Sequence, residues 1–147
     1  MTTSYQILPN YCYDDYKLWE GRWEVIHGIP FAMNKERTPQ HQFPASNLCA
    51  DLKIQLKDYK HIQVYYAVDY LVTDNTILQP DILIITQPVL KDFLDFPPTL
   101  VAEVLSPSTA LKDRHTKYSI YEKQGIRYYV IVYPDKTEAE VYGFVNG

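Results

Sequence analysis

The stretch LVAEVLSPST, residues 100–109, is an apolar run broken by one carboxylate, Glu103. Such a run reads as a core strand, and a core strand needs a sheet with at least one covered face. Burying a lone carboxylate costs several kcal/mol or more. Glu103 therefore has either a cationic partner or a site that requires it.

The neighbouring segments supply the sheet. HIQVYYAVDYLVT (61–73) and TILQPDILIIT (76–86) are rich in β-branched and aromatic residues and are separated by the turn signal TDN. Pro80 stands near the start of the second, where a missing donor is tolerated. IRYYVIVYP and EAEVYGF read as two further strands joined by PDKT. A helix is expected over 13–20, where YDDYKLWE opens with acidic residues, and Gly21 ends it. RWEVIHGIPFAM reads as a hairpin turning at His27-Gly28. Ala45, Leu48, Leu52 and Leu56 recur at helical spacing after NKERTPQ. A third helix is expected over TALKDRHTKYSIYEKQ, stopped before by Pro107, capped by Ser108 or Thr109 and closed by Gly125. The order predicts a mixed β-sheet flanked by helices, an α/β (α+β) fold.

Asp81 falls on the strand before Glu103, and consecutive strands with a short connector pair as neighbours. Adjacent strands lie about 4.8 Å apart, which lets two facing carboxylates share one divalent ion. Asp113, Lys117 and Tyr121 follow at intervals of four, each about 40° round a helix from the last. That helix starts near the end of the Glu103 strand, so Lys117 can reach back over the carboxylates.

QPDILII, LVAEVLSPST and KDRHTKYSIYEKQGIRYYVIVYP, in this order, resemble the Uma-two family of bacterial putative restriction endonucleases. That family is a branch of the PD-(D/E)XK nuclease superfamily. The likeness runs from about residue 13 to the end, with RWEVIHGIPFAM on the family's N-terminal hairpin and TPQHQFPASNLCADL on its first core helix. It implies a restriction-endonuclease-like core in which Asp81 and Glu103 bind Mg²⁺ or Mn²⁺. The superfamily lysine usually sits two residues after the glutamate, where this chain has Leu105. The resemblance moves that role to Lys117, with Asp113, Tyr121, His41 and Glu24 as supports around the same pocket. The family usually continues beyond VYGFVNG, so 1–147 is expected to be a single domain shortened at its C-terminus.

Plainer readings stand beside these. Asp81 suits a turn, Glu103 suits a metal-free pair with Lys117, and His41 and Glu24 suit the surface. The expected function is a metal-dependent endonuclease acting on nucleic acid, DNA above RNA, with Asp81, Glu103 and Lys117 catalytic. The alternative is an inactive nuclease-derived module that binds nucleic acid or protein. A net charge of −4 disfavours broad non-specific binding to phosphates but leaves room for a local basic patch. Cys12 and Cys49 have no metal-ligand spacing. No apolar run reaches the length of a membrane span, and the N-terminus lacks a signal-peptide pattern, so a cytoplasmic protein is expected. Cutting both strands of a duplex would suit a homodimer.

Overall fold

The computed structural model of the protein describes residues 7–33, 38–106 and 112–145, apart from the side chains of 112–114. α1 (Tyr13–Tyr16) is a single turn, shorter than the 13–20 expected. Leu18 is exposed, so a longer helix would have no apolar face to bury there. The hairpin at His27-Gly28 is as expected: β1 (Trp23–Ile26) pairs antiparallel with β2 (Ile29–Ala32). Both turn residues are left-handed, with φ 51° and 82°, the geometry of a two-residue hairpin turn.

A Cβ on Gly28 would lie 2.6 Å from the Asn10 backbone. Gly28→Ala combines that clash with a strained φ, and it should lower stability by about 2 kcal/mol or more. Urea denaturation measures this, and an unchanged midpoint would mean the Asn10 segment moves aside freely.

α2 (Pro39–Gln55) opens at Thr38, whose hydroxyl accepts the His41 amide, with Pro39 in the first helical position. His41, Ala45 and Cys49 form its buried stripe, and half-buried Leu48 and Leu52 widen it.

Two of the expected strands are each broken. Segment 61–73 gives β3 (Gln63–Tyr66) and β4 (Tyr70–Thr73). The break is at Ala67, whose φ of 54° bends the chain and whose amide donates to the Asp81 carbonyl at 3.0 Å. Segment 76–86 gives β5 (Thr76–Leu78) and β6 (Ile82–Ile85), parted at Pro80, which has no amide to continue a ladder. Next come β7 (Leu100–Val104), a π-helical stretch (Lys112–Lys117), α3 (Tyr118–Lys123), β8 (Tyr128–Tyr133) and β9 (Glu138–Gly143). Gly125, with φ 76°, follows the end of α3. The expected stop at Pro107 and cap at Ser108 or Thr109 lie outside the described residues.

Each break sends its halves into different sheets. One sheet has the order β2-β1-β5-β4, the other β3-β6-β7-β8-β9. The larger is mixed: β7 and β8 run parallel across the helical crossover, and its other pairs are antiparallel. α2 packs on one face, where Cys49 meets Ile82 and Ala102. On the other, Leu83, Val101 and Ile131 pack with Ile120 and Tyr121 of α3 and with Tyr70 and Leu78 of the smaller sheet.

Candidate active site

The site lies where the chain crosses from one sheet to the other. β6 and β7 pair with Ile82 opposite Ala102, so continuing the register by one position sets Asp81 opposite Glu103. Both are buried, at 3% and 2% exposure. Asp81 precedes β6 and is free of the ladder's strict alternation. Its Oδ2 accepts the Val104 amide at 2.7 Å and lies 3.2 Å from His41 Nε2. The first turn of α2 thus reaches the site from one side of the sheet.

Glu103 points to the other side, with Val101 and Leu105. Its Oε1 accepts from Lys117 Nζ at 2.9 Å and from the Tyr121 hydroxyl at 2.8 Å. Lys117 also pairs with Glu24 Oε2 at 2.8 Å, and that oxygen accepts the Gln79 amide at 2.7 Å. The ammonium therefore ties β1 of the smaller sheet to β7 of the larger. Burial, with the Glu103 carboxylate adding to it, holds the Tyr121 phenol well above its ordinary pKa. Tyr121 stays a neutral donor to Glu103.

Of the residues singled out in the sequence, the structure joins Glu103, Lys117, Tyr121 and Glu24 in one cluster and Asp81 and His41 in an adjoining pair. The surface readings of Glu24 and His41 are wrong: they are 0% and 2% exposed. Glu24 accepts the Gln79 amide just beyond β5, and His41 stands on the buried stripe of α2 against Asp81. Asp113 lies in the π-helical stretch, and its side chain is outside the described residues. A π-helical turn is wider than an α-helical one, so the intervals of four no longer make a strict stripe across Asp113. His115 is exposed, away from the cluster.

Sequence reading passed over the amides of Gln79 and Val104, which no side-chain pattern reveals. Glu24 did carry a signal: WEVI repeats the pattern of AEVL, a glutamate inside an apolar strand.

Among the described residues, no three His, Cys, Asp or Glu side chains converge to cage a metal. Mg²⁺ is commonly held by one or two carboxylates, with water and substrate phosphate completing its shell. Asp81 and Glu103 offer the hard oxygen donors that Mg²⁺ and Mn²⁺ take. Among the described residues, the buried carboxylates Glu24, Asp81 and Glu103 and the buried Lys117 gather at the junction of the sheets. His41 beside Asp81 resembles the outer partners that orient ligating carboxylates. The residues fit a divalent ion.

A family model described as Uma2, "putative restriction endonuclease", matches residues 13–147. Among solved structures, a putative nuclease of the DUF820 group from Anabaena variabilis superposes with a TM-score of 0.79 at 14% identity. The match covers 92% of this chain and 81% of that one. The two share a fold, the mixed α/β restriction-endonuclease-like arrangement expected from the sequence. No curated protein matches the chain. Among the described residues, no helix is long and apolar enough to cross a membrane.

Proposed function

Because the chain belongs to the Uma2 family of putative restriction endonucleases, we propose that it is a metal-dependent endonuclease hydrolysing phosphodiester bonds, with DNA as substrate. The single observation that carries this reading is that Asp81 and Glu103, opposite one another when the β6–β7 register is continued and both buried, stand at the junction of the sheets, with Lys117 bonded to Glu103. Asp81 and Glu103 hold Mg²⁺ or Mn²⁺. When bound there, such an ion would supply an activated water and charge neutralisation at the phosphate.

The other residues act around that pair. Lys117 sets a positive charge beside the position where the phosphate gains negative charge, and it fixes Glu103 through Oε1. Tyr121 donates to the same oxygen and limits its rotation. His41 and the Val104 amide orient Asp81. Glu24 anchors Lys117 to the smaller sheet, and the family resemblance alone gives Asp113 a supporting role. In hydrolysis a water oxygen bonds to phosphorus and gives up a proton to solvent, while both electrons of the broken P–O bond stay on the departing sugar oxygen, which takes a proton from solvent. The chain works as one domain in the cytoplasm, and cleavage of both strands of a duplex uses two copies.

One observation favours a second reading. Lys117 is already clasped between Glu24 and Glu103, so a fold that keeps it for cohesion alone would be an inactive module that binds nucleic acid or protein.

Nicking of supercoiled plasmid in Mn²⁺ separates the two readings. The parent should nick, and EDTA or Asp81→Asn should stop it. Equal nicking by the Asp81→Asn protein would remove Asp81 from the site, and no nicking by a folded parent would favour the module. His41→Ala is expected to weaken Mn²⁺ binding about 10- to 100-fold. The rise in melting temperature with added Mn²⁺ measures this. An unshifted Mn²⁺ dependence would make His41 a packing residue.

A further inference from the structure

Away from the buried carboxylates, Lys53, Lys57 and Lys60 line one concavity of about 330 Å³ together with Tyr59 and Gln63. It lies where the C-terminal end of α2 leads into β3. All three lysines are exposed, and Tyr59 is 55% exposed. Lys53 in the last turn of α2 is explained by the helix dipole, but three lysines round one hollow are not. The acidic neighbours Asp51 and Asp58 do not line the hollow. In a chain of net charge −4, this is a local reversal of sign.

The chemistry of such a surface is specific in kind. Ammonium groups bind phosphates as point charges without reading bases, and an exposed tyrosine ring beside them offers a stacking face. His41 and Lys53 sit twelve residues apart on α2, about 18 Å along its axis.

We propose that the Lys53–Lys57–Lys60 hollow is a second nucleic-acid contact, gripping the phosphate backbone away from the scissile bond. Its register with the cut rests on the nuclease reading, but the contact itself does not. The occupant is a polynucleotide backbone.

The test is equilibrium binding of a short labelled duplex in EDTA across a range of salt, on a Glu103→Gln background that does not cleave. Lys53→Gln/Lys57→Gln/Lys60→Gln should weaken binding at least about tenfold at low salt and flatten the log–log salt slope by about 2–3. The corresponding triple arginine variant should keep both affinity and slope. Lys91→Gln, which removes a lysine paired with Asp95 outside the hollow, should change neither. DNA and RNA duplexes of one sequence distinguish the two sources of backbone. An unchanged slope in the triple glutamine variant would overturn the proposal. So would an equal loss in Lys91→Gln, or binding to anionic vesicles in place of nucleic acid. Plasmid nicking is scored separately: if it is absent while the slope still flattens, the nuclease reading fails and this contact stands.

Discussion

Glu103→Gln is expected to reduce plasmid nicking in Mn²⁺ about a thousandfold while leaving the chain folded. The substitution keeps an oxygen in place for Tyr121 and Lys117 but removes the charge that would hold the metal. A thousandfold corresponds to roughly 4 kcal/mol of barrier, in keeping with the several kcal/mol that metal assistance provides. The stability change should be smaller, about 1–2 kcal/mol, because a charge-assisted hydrogen bond becomes an ordinary one. The two readouts must therefore separate. If nicking and melting temperature fell together, Glu103 would be a structural residue. If neither changed, it would have no part in hydrolysis.

Lys117→Met should have the largest effect on stability, about 3–5 kcal/mol. It leaves two buried carboxylates, Glu24 and Glu103, without the ammonium that now bridges them. For a chain of this size that is a drop in melting temperature of roughly 10 °C or more. The pH dependence has a definite sign. In the variant, loss of Lys117 should favour the protonated form of the two buried carboxylates in the folded state. The folded state then binds more protons, and stability rises as pH falls through the carboxylate range. The gap between variant and parent should narrow in acid, and adding Glu24→Gln should recover part of the loss at neutral pH. A loss below about 1 kcal/mol at neutral pH would mean that the ammonium does not hold the two sheets together.

Local signals in the sequence were enough for much of this. Pro80, the apolar runs and the short connector were enough to pair β6 with β7 and to bring Lys117 to Glu103. The mixed sheet follows from the helix between β7 and β8. The division into two sheets was not legible. It depends on Ala67, an ordinary residue held at positive φ by a hydrogen bond to Asp81, and no glycine or proline announces that bend. The burial of Glu24 and His41 was hidden for the same reason. Each is covered by elements distant in sequence, and their own neighbours do not encode that cover. Glu24 differs from Glu103 in this respect only by lying in a hairpin, where a polar face toward water is the ordinary expectation.

The double attachment of Lys117 has an evolutionary consequence. One side chain serves both cohesion and the proposed chemistry, so relaxed selection on catalysis would not release it. Asp81 is less constrained, since asparagine would still offer an oxygen to the Val104 amide. A lineage that stopped cutting would be expected to drift first at Asp81 and keep its lysine long afterwards. A retained lysine would then mark ancestry, and the aspartate would mark a living enzyme.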